Sequence, residues 1–194
     1  MDDILIASNN VIVVDDFKKF LDNKFKLKYL GILKYFLGLE VARNIKGIFL
    51  CQRKYTPKVL SNAGFLASKP AHTPMDQFAK FSSTEGSNDL SMYRRLVGKF
   101  LYLTLIKLDI GYAVHKLNQY MSSPKLPHLQ AAYRVFKYLK NNPRQGIFFS
   151  AQSALHLKSY CDADWAGCLE TRRSIFGFCV FLGDSLISWK CKMQ

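Results

Sequence analysis

Ser91-Met92-Tyr93-Arg94-Arg95-Leu96-Val97-Gly98-Lys99-Phe100-Leu101-Tyr102-Leu103-Thr104-Leu105 is the stretch on which the fold turns. Tyr93, Leu96, Val97, Phe100 and Thr104 recur at helical spacing and predict a buried stripe. Arg94, Gly98 and Tyr102 recur every fourth residue on a neighbouring face. Glycine inside a helix costs about 1 kcal/mol against alanine. Gly98 therefore implies that some other surface comes close to this face, and a second protein helix would satisfy that need.

Two more amphipathic helices follow, over Asp109 to Met121 and His128 to Asn141, separated by Ser122 to Pro127. Ala113, Leu117 and Met121 mark the stripe of one, and Ala132, Val135, Phe136 and Leu139 that of the other. Short links between successive helices predict a small bundle. Upstream, Gln52 to Ala63 reads as a helix whose Pro57 falls near its first turn, where proline is tolerated. Gly64 to Leu90, with Pro70, Pro74 and a polar run through Asn88, reads as a long mobile loop.

The outer segments read as strands. Leu33 to Ala42 predicts one strand with a mid-strand glycine, Gly38, which a simple bulge would explain, and Lys46-Gly47 turns the chain into a return strand at Ile48 to Cys51. Ile4 to Ala7 predicts a strand, and Ser8-Asn9-Asn10 caps a helix over Val11 to Lys26 that should pack on a sheet. Past a boundary at Pro143-Arg144-Gln145-Gly146, Ile147 to Ser150 predicts a short strand. Strands at His156 to Cys161, Ser174 to Leu182 and Leu186 to Lys190 follow, with Gly183-Asp184 as a tight turn. Trp165 and Trp189 read as core or rim packing. The expected class is α+β.

The chain carries 28 Lys and Arg against 14 Asp and Glu, a formal charge of +14. That balance favours a polyanionic partner, nucleic acid first. Cys51, Cys161, Cys168, Cys179 and Cys191 form no Cys-x-x-Cys pair and suit a reducing compartment. The four histidines are isolated, which gives no zinc pattern. No apolar run is long enough to span a membrane, and an opening with two acids is unlike a secretory leader. Those acids, Asp2 and Asp3, repel each other unless a cation lies between them. They are either solvated charges or ligands of a hard divalent metal such as Mg²⁺.

The motifs decide between such alternatives together. Asp2-Asp3-Ile4-Leu5-Ile6, Leu33-Lys34-Tyr35-Phe36-Leu37-Gly38-Leu39-Glu40-Val41, Gln52-Arg53-Lys54-Tyr55, Lys69-Pro70-Ala71 with Thr73-Pro74-Met75, and Tyr93-Arg94-Arg95-Leu96-Val97-Gly98-Lys99 occur in this order. Asp109-Ile110 with Tyr112-Ala113-Val114, then Asp162-Ala163-Asp164-Trp165-Ala166-Gly167-Cys168, and finally Ser188-Trp189-Lys190 complete the series. The chain resembles, over nearly its whole length, the Pol polyprotein of Ty1/copia-type LTR retrotransposons, a reverse transcriptase followed by ribonuclease H.

The resemblance implies three parts. Residues 1–51 would be a palm remnant with a primer-contacting hairpin, 52–142 a thumb-like helical region, and 143–194 the opening of a ribonuclease H-like antiparallel sheet. Arg94, Arg95, Gly98, Lys99 and Tyr102 would meet a primer–template or RNA–DNA hybrid, the cations at phosphates and Tyr102 at sugar or base. Asp2, Asp3 and Asp162 would be catalytic carboxylates holding Mg²⁺ in a complete enzyme; Asp164 would be a solvated or hydrogen-bonding neighbour.

The chain also departs from the pattern. Met1 stands where the family has the Val of Tyr-Val-Asp-Asp. Ile106-Lys107-Leu108 replaces Thr-Arg-Pro, removing a helix stop, so two helices could merge or shift. The next nuclease carboxylate would lie beyond Gln194. The expectation is a piece of an enzyme, inactive alone, its partners including upstream and downstream polyprotein segments. The alternative is a non-catalytic nucleic-acid-binding module. The parent particles imply cytoplasm or nucleus, and such copies also lodge in organelles.

Overall fold

The computed structural model describes residues 4–76, 81, 90–165 and 172–193. Its centre is helical. Helix α1 spans Val11–Lys24, α2 Tyr55–Asn62, α3 Leu90–Leu103, α4 Gly111–Asn118 and α5 Leu126–Asn141. Tyr93, Leu96, Val97, Phe100 and Leu103 of α3 are buried, so the expected stripe is there, with Leu103 in place of the half-buried Thr104. It packs on Ala113, Val114 and Leu117 of α4 and Ala132, Val135, Phe136 and Leu139 of α5. The Phe100 and Phe136 rings lie 4.6 Å apart. Each such buried ring contributes roughly 1.5–3 kcal/mol by leaving water. The Tyr93 hydroxyl, wholly inside this core, donates to the Leu117 carbonyl at 2.7 Å, which satisfies both groups.

Helices α3 and α4 do not merge despite the missing proline. The chain leaves α3 through Thr104–Lys107 and passes a short 3₁₀ turn, Leu108–Ile110, before α4. Lys107 holds this corner. It is 1% exposed, and its Nζ donates to the Asn142 carbonyl at the end of α5, 2.9 Å away. The 64–76 segment is not loose either. The Ala71 amide donates to the Lys137 carbonyl at 3.1 Å, Asn141 Nδ2 to the Ala71 carbonyl at 2.6 Å, and Lys140 Nζ to the Ser68 carbonyl at 2.6 Å. Phe65 stacks on Phe136 and Met75 is buried. Helix α5 thus fastens a segment that has no regular structure of its own. Most of the polar run toward Asn88 lies outside the described residues.

Two antiparallel sheets flank the helices. The first has the order β1-β2-β3-β4, from Tyr35–Phe36, Leu39–Asn44, Gly47–Cys51 and Gly146–Ser150. The single strand expected over Leu33 to Ala42 is in fact a hairpin. Leu37 and Gly38 take φ of +47° and +83°, and Phe36 pairs with Leu39 across them. Two successive left-handed residues make the tight turn that suits strand twist, so Gly38 is a turn glycine rather than a bulge. At the other turn, Asn44 Oδ1 accepts from the Lys46 and Gly47 amides at 2.9 and 3.1 Å. Strand β4 lies past the boundary read at Pro143 to Gly146, yet it pairs with β3 from Cys51↔Gly146 to Gly47↔Ser150. The first sheet therefore draws strands from both sides of that boundary.

The second sheet, order β5-β6-β7, comprises Leu157–Ala163, Ile175–Leu182 and Ser185–Met193. Gly183-Asp184 closes the last hairpin as expected, with Leu182 opposite Ser185. The Ser150 amide donates to Ser185 Oγ at 2.9 Å and joins the two sheets.

The N-terminal segment departs furthest from expectation. Residues 4–7 form no strand. Among the described residues nothing pairs with them, and a strand without a ladder leaves its amides to water. Helix α1 does form, with Asn10 Oδ1 accepting from the Ile12 and Val13 amides. None of its residues is buried, and Phe17 and Phe20 stack on each other rather than on a sheet.

The Leu37-Gly38 turn yields a stability test. Leucine in the left-handed region costs roughly 1–2 kcal/mol, and this side chain is exposed, so it returns little by packing. Leu37→Asn, giving the favoured Asn-Gly turn, is expected to add about 1 kcal/mol and to raise Tm by about 2–4 °C. An unchanged melting curve would be inconsistent with a left-handed backbone at both turn positions.

Candidate functional site

The predicted nucleic-acid residues share helix α3 but not one environment. Arg94 and Arg95 are exposed and Lys99 is half-buried. Arg95 and Lys99, one helical turn apart, flank Gly98. A Cβ on Gly98 would meet nothing within 4 Å among the described residues. A second helix packed at this glycine, which the sequence allowed, is therefore not what the described residues show. The Arg94 Nε donates to the Met121 carbonyl at 2.9 Å, so this guanidinium also closes the exit of α4.

Tyr102 lies one turn beyond Gly98 on α3 and faces the first sheet. Its hydroxyl donates to the Leu37 carbonyl in the β1–β2 turn. Its ring meets that of Tyr55 edge-on, centroids 4.7 Å apart. Burial pushes the phenols of both tyrosines above their ordinary value, so each hydroxyl keeps its proton at neutral pH. Gln52 Nε2 donates to the Tyr102 carbonyl at 2.9 Å. Glu40 of β2 ties the hairpin to the start of α2, accepting from Arg53 at 3.1 Å and from the Lys54 amide at 2.7 Å.

The predicted acids are not gathered. Asp2 and Asp3 lie outside the described residues. Asp162 is exposed on β5, and its Oδ1 accepts from the Ala163 amide at 2.9 Å. Asp164 takes the hydrogen-bonding one of its two expected roles: its amide donates to the Ile175 carbonyl at 3.0 Å, and its carboxylate accepts from the Ile175 amide. Both acids line an open groove of about 700 Å³ between the second sheet and α4, with Tyr112, His115, Trp189 and Cys191. Burial, with help from Lys190, pushes the His115 pKa down. Burial, then Asp164, pushes the Cys191 thiol up. Both are thus neutral at pH 7 and bring no charge into the groove.

Mg²⁺ needs several oxygens on a rigid frame. Among the described residues no group of three or more His, Cys, Asp or Glu could hold a metal ion. One exposed carboxylate beside another that is committed to an amide does not fit Mg²⁺.

The two tryptophans differ. Trp189 Nε1 donates to the Thr104 carbonyl at 3.1 Å and seats the second sheet on the end of α3. Trp165 is 93% exposed, against the expectation of packing, because it stands beyond the last paired residue of β5. Sequence reading missed the corner around Lys107. There the Tyr138 hydroxyl donates to Asp109 Oδ2, and burial, reinforced by that bond, pushes the phenol up to about 12. The signal was a lysine between Ile106 and Leu108, within an apolar stretch.

Comparison with known proteins gives the family. The reverse transcriptase (RNA-dependent DNA polymerase) family matches residues 1–77. An uncharacterized mitochondrial protein of Arabidopsis thaliana is 40% identical over 195 residues, covering the whole chain and 81% of that protein. The retrovirus-related Pol polyproteins from transposons RE2 and RE1 of the same plant are each 39% identical over 196 residues, again across the whole chain. The chain belongs to the retrotransposon Pol polyprotein family. It spans only 14% and 13% of those two polyproteins. No solved structure matches. Within this Pol segment the reverse transcriptase match ends at residue 77, before α3 begins.

The two groove acids should separate by their effect on folding. Asp164→Ala leaves the Ile175 amide without its acceptor and is expected to cost about 1–3 kcal/mol in urea unfolding. Asp162→Asn, at an exposed site, should stay within about 0.5 kcal/mol of wild type. Equal losses would mean that Asp162 also supports the sheet.

Proposed function

We propose that this chain is a segment of a copia-type reverse transcriptase and ribonuclease H. In this reading it holds primer–template or RNA–DNA hybrid along α3 and neither polymerises nor cleaves by itself. One observation carries the binding half of the reading: a mid-helix glycine with open space above it among the described residues, between Arg95 and Lys99 on the surface of a strongly basic chain. Nothing within the described residues offsets the cost of that glycine. A ligand backbone that comes close there would offset it, and flanking cations suit phosphates. The catalytic half rests on the acids. Asp2, Asp3 and Asp162 correspond to the family's carboxylates, and Mg²⁺ would be the metal of a complete enzyme. Among the described residues Asp162 stands in the open without a frame to aim an ion.

A second reading, a nucleic-acid-binding module with no catalytic parent role, draws on the same face of α3 and the charge of +14. Primer extension and hybrid cleavage with Mg²⁺ or Mn²⁺ bear on the catalytic question. Neither reaction is expected from the wild-type chain. Turnover that disappears in Asp3→Asn or Asp162→Asn would overturn the reading.

Binding has its own test. Affinity for a labelled RNA–DNA hybrid, followed by anisotropy, should fall steeply as salt rises, because each phosphate contact releases counterions. Arg95→Glu with Lys99→Glu should abolish it. Gly98→Ala should stabilise the fold by about 1 kcal/mol yet weaken hybrid binding. A Gly98→Ala chain that is stabler and binds as well as wild type would remove α3 as the interface.

A further inference from the structure

The residue that joins the hairpin to α3 has a role that neither the motif nor the charge pattern assigns. The β1–β2 turn sits on α3 through one polar contact, the Tyr102 hydroxyl on the Leu37 carbonyl. Gly38 is cut to the shape of that contact: a Cβ there would run into the Tyr102 hydroxyl. Tyr102 is itself fixed from two sides, by the Tyr55 ring and by Gln52 on its carbonyl. Its hydroxyl is thus turned inward, toward the turn. Arg95 and Lys99 lie within two helical turns of it on the same helix.

We propose that Tyr102 is a positioning residue that sets the Leu37-Gly38 turn against α3, so that the turn and the Arg95–Lys99 face meet one nucleic-acid strand together. This rests on the nucleic-acid reading above. Tyr102 acts through the hairpin and makes no contact with the ligand. The turn has few other constraints: its strand β1 is two residues long, and Leu37 and Tyr35 are exposed. With the hydroxyl removed, the short β1–β2 ladder opens more often and the turn loses its fixed height over the helix. The basic face then binds without the turn.

Tyr102→Phe in the full chain tests this, because it keeps the ring against Tyr55 and deletes only the donor. Amide exchange at Leu39 and Val41 should quicken while α3 stays protected. Affinity for a short fluorescein-labelled RNA–DNA hybrid should weaken roughly threefold to tenfold with the slope against salt unchanged, since no charge is lost. Gly38→Ala should weaken binding in the same way, and Gly38→Ala with Tyr102→Phe should be no worse than Gly38→Ala alone, as expected of two groups in one contact. Weakened binding with unchanged hairpin exchange would mean that the hydroxyl touches the ligand, and would overturn the proposal. So would unchanged affinity in Tyr102→Phe, or losses that add in the double variant. Failure of the wild-type chain to bind the hybrid would instead remove the nucleic-acid reading, and this inference with it. The exchange result would then still report whether the hydroxyl fixes the turn.

Discussion

The packing of Phe100 against Phe136 is the contact on which the other parts depend. It joins the C-terminal half of α3 to the C-terminal half of α5 inside the apolar core. The peripheral elements are then attached to one or other of those two helices. The first sheet meets α3 through Tyr102 and Gln52. The 64–76 segment lies along α5 through Lys137, Lys140 and Asn141. The second sheet meets the end of α3 through Trp189. Interiors are packed too tightly to deform continuously, so a disturbance at this pair would reach all three attachments.

That arrangement explains which parts of the fold were legible in the sequence. The stripe Tyr93, Leu96, Val97, Phe100 repeats with the helix period because burial on one side demands it, and periodicity survives without any knowledge of the partner. The strands of the second sheet and the Gly183-Asp184 turn were legible for the same local reason. The Leu37-Gly38 turn was not, because Leu37 is a poor residue for its backbone and only the Tyr102 contact, 65 positions away, makes sense of it. Strand β4 could be seen as a strand, but its pairing with β3 across the whole helical centre could not. The docked state of 64–76 depends on groups of α5 that carry no periodic signal.

The candidate site divides along the same line. Arg95, Gly98 and Lys99 were readable as a surface face because the stripe fixes which side of α3 is left for solvent. Tyr102 belongs to the same four-residue recurrence as Arg94 and Gly98, yet it points to the hairpin. Spacing alone places a residue on a face; it does not say what that face meets. Asp162 and Asp164 are two apart where β5 ends and so share a side of the sheet. Their neighbours nevertheless give them different tasks, one holding the Ile175 amide and the other exposed.

The groove around those acids shows how far the helical centre reaches. Its floor is the second sheet and its wall is α4, whose Gly111 lies 3.8 Å from Cys191 at the position a Cβ would take. The sheet supplies Asp162 and Asp164, but the wall that makes a groove of them comes from the bundle. Trp189 sets the distance between the two by bonding to Thr104, in the turn that Lys107 holds open against α5. A buried lysine is costly to keep there, and desolvation lowers its pKa. Its Nζ is kept there by the Asn142 carbonyl at the α5 terminus, to which it donates the shorter of two bonds, 2.9 Å against 3.4 Å from the Gln145 amide. The corner that replaces a proline stop is thus a polar contact between two helix ends, and the position of the acidic groove follows from it.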